Sequence, residues 1–323
     1  MSAEGRPPLD VLCFGEAIVD FFPAETGVSL AECRTFHRSL GGAPANVAVG
    51  LARLGVRSGL VTLVGADEFG RFIREELLRE GVDVSGVGIH RNARTGVTFV
   101  AVGPAGQRSF TFYRHPSADM LVAPVDVDGA AIGRARVFHF GSSTLAREPA
   151  RSATLAALAE AREAGCMVSC DPNFRPHLWD TPAEAPALIR QTLAEASVAK
   201  VSDDEIAPLC GTTDPEAAAR MIRELGVTLA VVSLGARGCY FQCPKGAGYV
   251  PGEKVVAVDT TGAGDGFVAA LWASLLPRLG ERSLGELEEA EVAAVLLRAN
   301  RAGAMTCTRF GATTALPRDA ELG

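Results

Sequence analysis

Short, continuously apolar runs recur along the chain at 11–14, 60–64, 137–140, 166–170, 198–201 and 229–233. Between them lie longer Ala-, Leu- and Arg-rich stretches at 45–54, 69–80, 151–164, 186–196 and 214–225. A short run with no polar alternation suits a strand buried on both faces, and the longer stretches suit helices that cover a sheet. Strands that alternate with helices predict a parallel sheet flanked by helices on both faces. No internal repeat or low-complexity linker interrupts the series. The expectation is an α/β protein, one domain over 1–323. Nearly every run ends in small or polar residues: Gly15-Glu16, Gly65-Ala66-Asp67, Gly141-Ser142-Ser143, Asp171-Pro172-Asn173, Ser202-Asp203-Asp204-Glu205 and Ser233-Leu234-Gly235. Ligands of open α/β sheets bind outside the carboxyl ends of the strands, so a polar site is predicted along that edge.

Two segments, at about 18–40 and 95–117, break this rhythm. The second begins TGVTFVAVGPAGQRSFTFY, two strand-like runs around a Gly-Pro-Ala-Gly turn. Together the segments predict a small β-sheet projecting from the main domain, a natural lid.

Composition changes this picture little. Hydrophobic residues make up 48% of the chain, enough for a large core. The formal charge of −7 argues against nucleic acid as the main partner. The opening MSAEGRPPLD has neither a basic head nor an apolar stretch, so no signal peptide is expected. The longest apolar stretch, 267–277, is about half the ~20 residues of a membrane span. Cys13, Cys166 and Cys170 fall in strand-like runs, where a thiol packs as a small hydrophobe. Cys239 and Cys243 lack a second pair at zinc spacing, and the five histidines are scattered. A soluble cytoplasmic protein is expected, without nucleic-acid or membrane partners.

The strongest chemical signal is Asp259-Thr260-Thr261-Gly262-Ala263-Gly264-Asp265-Gly266-Phe267, followed by an apolar helical run. Glycines at a helix start let backbone N–H groups converge on an anion, and the helix dipole adds to the attraction. A carboxylate there, Asp265, is repelled by phosphate in the ground state. It makes sense as the base that takes a proton from an attacking hydroxyl; a plain helix cap is the other reading. No Gly-Lys-Ser/Thr occurs, a Gly-x-Gly-x-x-Gly starting at Gly262 fails at Phe267, and the protein-kinase motifs are missing. Gly41-Gly42 with Asn46 opens a second helix; paired glycines admit a ligand close to the backbone, and an amide suits sugar hydroxyls. Asp171–Arg175 reads as a strand-end site or an Asx turn. Ser202–Glu205 can hold a hydrated Mg²⁺ or simply start a helix.

In this order the motifs resemble the PfkB carbohydrate kinases of the ribokinase-like superfamily, and within it the fructokinases, over about 11–317. The quoted signatures are Gly41-Gly42 with Asn46, DTTGAGD, FYRHPSADML and VFHFGSSTL. The resemblance implies a ribokinase-like fold and an ATP-dependent kinase phosphorylating fructose at its 6-hydroxyl. Ribose, 2-keto-3-deoxygluconate or a nucleoside are the alternative acceptors, and a catalytically silent sugar sensor is the alternative class. By matched position it implies Asp265 as base and Gly262, Ala263 and Gly264 as the anion hole. Asp20, Gly41, Gly42 and Asn46 line the sugar site, with Arg114 entering from the lid. Arg175 and Glu205 face the phosphates and Mg²⁺. Ser233, Gly235 and Gly238 lie on the nucleotide side and Asn300 near the adenine. Asp259 and Thr261, with the 309–311 loop and its Gly311, form a K⁺ site. Ser202 stands where the family often has Asn. A homodimer through the lid is also expected.

Overall fold

The computed structural model describes residues 8–25, 27–102, 108–280 and 282–323. The strands in chain order are β1 (Leu9–Phe14), β2 (Ile18–Pro23), β3 (Phe36–Gly41), β4 (Ser58–Gly65), β5 (Asp83–His90), β6 (Val97–Val102) and β7 (Arg108–Tyr113). They continue with β8 (Ala135–Phe140), β9 (Met167–Cys170), β10 (Val198–Ser202), β11 (Leu229–Ser233), β12 (Gly238–Cys243) and β13 (Gly246–Pro251). Nine of them form one sheet in the order β13-β12-β11-β10-β9-β8-β1-β4-β5. Its neighbours pair in parallel except for β12 with β11 and β13 with β12.

Alternate residues of one strand serve two cores, as the period of two demands. Val11 and Cys13 of β1 pack on one face with helices Ala43–Arg53, Ala263–Leu275 and Glu289–Thr306. Leu12 and Phe14 pack on the other with helices Ala150–Glu163, Ala185–Leu193 and Pro215–Glu224. Burial on both faces is why the six expected runs carry no polar alternation, and all six are strands. β5, β12 and β13 are not among those runs. They stand toward the sheet's edges, where β5 and β13 leave alternate positions open, and no continuous apolar signal survives. Cys239 and Cys243 fall on β12, and both thiols are free and buried.

β1 lies between β4 and β8, so the chain changes direction across the sheet at β1. That topological switch opens a crevice at the carboxyl ends of the strands. Over it stands the second sheet, in the order β3-β2-β6-β7, with β2–β6 parallel and the outer pairs antiparallel. It is built from the two segments that break the strand–helix rhythm; the Gly103–Gly106 turn lies outside the described residues. Phe21 stacks on Phe99 with centroids 5.1 Å apart and packs edge-on against Phe69 of helix Glu68–Arg79, which fastens this sheet to the main body. Across the crevice Phe112 stacks on His177 at 4.6 Å.

Candidate active site

A cleft of about 640 Å³ runs between the strand ends and the small sheet. Helix Ala263–Leu275 begins at its floor. Gly262 precedes it in the left-handed region (φ 79°), and Ala263, Gly264 and Asp265 form its first turn. The plain-cap reading of Asp265 therefore does not hold: Gly262 occupies the cap position, and Asp265 has no side-chain cap bond. Its Oδ2 instead accepts a hydrogen bond from Asn46 Nδ2 at 2.7 Å, from the start of helix Ala43–Arg53.

Asp265 is buried. Burial pushes its pKa up to about 7; the Asn46 hydrogen bond and Lys200 oppose that rise, and Asp171 and Glu16 add to it. Asp20 is likewise pushed to about 7, chiefly by burial, with Arg114 opposing and Asp265 and Glu16 adding. Two carboxyls poised near neutrality at one end of a cleft are suited to proton transfer.

The paired glycines before helix Ala43–Arg53 have a steric explanation. A Cβ on Gly41 would lie 2.0 Å from Asp20 Oδ2, and one on Gly42 (φ 99°) would lie 2.4 Å from the Glu16 carbonyl oxygen. Without side chains there, Asp20 and Glu16 close onto the same wall. Glu16 then links two strand ends: its Oε1 accepts from Ala43 N at 3.1 Å, and Ser143 Oγ, beyond β8, donates to its Oε2.

Beneath the Gly262–Gly264 loop lies Lys200 of β10. A Cβ on Gly264 would meet its Nζ at 3.0 Å, so the missing side chain keeps the loop open above a cation. Lys200 pairs with Asp171 Oδ2 at 3.0 Å inside the protein. Burial disfavours its charge, but Asp171 and Glu205 outweigh that, and its pKa is raised. Asp171 Oδ1 is buried without a hydrogen-bond partner among the described residues. Glu205 also lines the cleft, but much of its carboxylate is in use. Oε1 accepts from Phe174 N at 2.5 Å, and Oε2 accepts from the N and Oγ of Ser202 at 2.7 and 2.8 Å. Ser202 thus completes a capping box with Glu205. Four lone-pair sites less three hydrogen bonds leave Glu205 room for one more.

Of the residues singled out in the sequence, Asp20, Gly42, Asn46, Arg114, Arg175, Glu205, Thr261, Gly262, Ala263, Gly264 and Asp265 line this one cleft. Gly41 supports it through Asp20. Ser233, Gly235, Gly238 and Asn300 do not line it. Ser233 ends β11, and Gly235 and Gly238 bracket the turn after it. Asn300 is buried and donates from Nδ2 to the carbonyl oxygens of Val250 and Pro251, both at 3.1 Å. Asp259 binds two loops together: Oδ1 accepts from Thr261 N and Oγ1 at 2.8 and 2.7 Å, and Oδ2 accepts from Gly311 N at 3.0 Å. Glu16, Lys200 and Asp171 also line the cleft; the sequence motifs mark Asp171 as part of a candidate strand-end site and attach no role to Glu16 or Lys200. Glu16 and Asp171 could be seen only as polar residues following β1 and β9, and Lys200 stands in the middle of β10.

The loop fits a phosphate group: the amides of Gly262 and Gly264 at a helix start, glycines where side chains would intrude, and a buried ammonium beneath. The orphan Oδ1 of Asp171 and the free site on Glu205 fit a hydrated divalent cation.

The sequence model of the pfkB family carbohydrate kinases matches residues 8–319. Fructokinase-2 of Solanum habrochaites is 42% identical over 313 residues, 96% of this chain and 94% of that protein. Among solved structures, the fructokinase of Vibrio cholerae O395 in its fructose-, ADP- and calcium-bound form superimposes with a TM-score of 0.85. It is 36% identical, with 97% of each chain covered. Aminoimidazole riboside kinase of Salmonella enterica, complexed with aminoimidazole riboside and an ATP analog, gives 0.81 at 35% identity, covering 97% of this chain and 98% of that one.

Proposed function

Because this chain belongs to the pfkB family of carbohydrate kinases, we propose that it transfers the γ-phosphoryl group of ATP to the 6-hydroxyl of fructose. The observation that carries this reading is the Asp265 carboxylate, buried and held by Asn46 beside the helix-opening loop 262–264. In the step proposed, the acceptor oxygen bonds to the γ-phosphorus while its proton passes to Asp265. The bond from that phosphorus to the bridging oxygen breaks, and ADP leaves. Such a transfer needs alignment and charge neutralisation more than covalent help from the protein. The amides of Gly262, Ala263 and Gly264 and the Lys200 ammonium supply positive potential. Asp20, Asn46 and Arg114 hold the sugar, and Arg175 approaches the phosphates from the rim. Mg²⁺, when bound, neutralises phosphate charge; Asp171 and Glu205 would hold its water shell. Ser233, Gly235, Gly238 and Asn300 are assigned to the nucleotide. The small sheet is read as the lid that keeps water off ATP. Eight free thiols suit a reducing compartment, the cytoplasm. Among the described residues no helix is long and apolar enough to cross a membrane.

The similarity to aminoimidazole riboside kinase favours one second reading, a riboside acceptor. An ADP-release assay over fructose, ribose, 2-keto-3-deoxygluconate and a riboside separates them. Fructose is expected to give the highest kcat/KM. A higher value for ribose or the riboside replaces the substrate, and no turnover with any of them leaves a sugar-sensing scaffold.

K⁺ is proposed beside Asp259, whose carboxylate joins the anion loop to the 311 loop. A cation there would stiffen both loops and add positive charge near the phosphates. Rates should be higher in K⁺ than in a bulky organic cation at matched ionic strength; equal rates count against the site. A homodimer through the lid is proposed from the open edges of β3 and β7 and the exposed Tyr113. Unpaired strand edges are usually covered. Light scattering at micromolar concentration should give twice the 33.7 kDa chain mass; a monomer refutes it.

A further inference from the structure

The acceptor end of the cleft holds more carboxylate than cation. Glu16, Asp20 and Asp265 all line it and all are buried; Arg114 is the guanidinium among them. Arg114 is 4% exposed, and its Nη2 is ion-paired with Oδ2 of Asp119, which is 1% exposed. Asp119 does not itself line the cleft. It sits on the short turn Ala118–Leu121, and its other oxygen accepts from Ser117 Oγ at 2.6 Å. The Arg114 charge is therefore matched before any ligand arrives. Its buried Nε–H has no hydrogen-bond partner among the described residues and remains free to donate to a neutral oxygen. Lys200, the other buried cation of the wall, is matched by Asp171. Arg175 is exposed at the rim.

We propose that Asp119 sets the acceptor class: by cancelling the charge of Arg114 it leaves a site that takes a neutral polyol and rejects a sugar carrying a carboxylate. This rests on the sugar-kinase reading above, not on fructose in particular. Hydroxyls suit the wall as it stands, since carboxylates accept from O–H and the free Nε–H donates to oxygen. A substrate carboxylate would meet Glu16, Asp20 and Asp265 with no unmatched buried cation to receive it. Like charges set together in a desolvated site are strongly disfavoured.

The test compares kcat/KM for fructose and for 2-keto-3-deoxygluconate in the wild type and in Asp119→Asn. The wild type should prefer the neutral sugar by at least about a hundredfold. Asp119→Asn keeps the size and can still accept from Ser117, but frees the guanidinium charge. It should narrow the preference by about tenfold or more, mainly through a lower KM for the acid. A purely structural role for Asp119 lowers both substrates alike and leaves the ratio unchanged; that result overturns the proposal. So does a wild type that uses the acid within about tenfold of fructose. If Asp119→Asn does not fold, the double variant Arg114→Gln/Asp119→Asn has the wild-type net charge and should keep the wild-type ratio. A ratio that widens in it would show the Arg114 charge already at work, and overturns the proposal equally. If ribose or a riboside outruns fructose while the acid is still rejected, the fructose reading fails and this one stands.

Discussion

Asp265→Asn is expected to fold, to bind ATP, and to lose about 10²–10⁴ in kcat, the range for removal of a general base. That is roughly 3–5 kcal/mol of transition-state stabilisation. The amide has the shape of the carboxyl, and its oxygen can still accept from Asn46 Nδ2. What it lacks is the lone pair that takes the acceptor's proton. Stability gives a second readout with a definite sign. The folded-state pKa of Asp265 is raised from 3.8 to about 7 by burial. The folded state therefore binds the proton more tightly than the unfolded chain. The stability this contributes is complete below about 3.8 and is lost as pH rises through about 7. At pH 8 the ionised carboxylate weighs against folding and an amide does not. The variant should then unfold at or above the wild-type temperature at pH 8. A folded variant keeping more than about a tenth of wild-type kcat removes Asp265 from the base role, because it falls short of the general-base range. A large fall in melting temperature would point to a structural role instead.

Lys200→Met should cost both stability and rate. The ammonium and Asp171 form a buried ion pair at 3.0 Å. Removing one partner of such a pair typically costs about 3–5 kcal/mol, because the other charge is left uncompensated. At roughly 2 cal/mol/K of unfolding entropy per residue, 323 residues turn that into a melting-temperature loss of roughly 4–7 °C. The pH profile separates a catalytic effect from a structural one. Lys200 favours the ionised form of Asp265. Without it the Asp265 pKa rises further above its ordinary value, and less of the base is ionised at neutrality. The acid limb of kcat/KM, expected near pH 7 in the wild type, should move to higher pH. Activity lost at pH 7 should be partly recovered near pH 8.5. A variant with an unshifted limb shows that Lys200 only supports the fold; one with wild-type stability shows that the pair contributes little.

What the amino-acid sequence alone determined is whatever depends on neighbours along the chain. The six apolar runs could be read as strands because a strand buried on both faces has no polar alternation to hide it. The helix-opening loops at Gly41–Gly42 and Gly262–Gly264 could be read because a glycine-rich helix start is made of residues adjacent along the chain. The polar strand ends pointed to the edge of the sheet along which the cleft runs. What only the tertiary structure decided is whatever depends on distances through space. β5 and β13 became strands by pairing at the sheet's margins, where one-sided burial weakens the pattern, and β12 by antiparallel pairing between β11 and β13. Asp265 meets an Asn46 that is 219 positions away. Its shift to about 7 comes from burial, with the Asn46 hydrogen bond and Lys200 opposing it and Asp171 and Glu16 adding to it, all from other elements. Arg114 and Asp119 are five positions apart, yet the sequence could not say whether that guanidinium charge is spent on the protein or kept for a ligand. Charge interactions and desolvation depend on the distance and the medium between groups, and the fold supplies both.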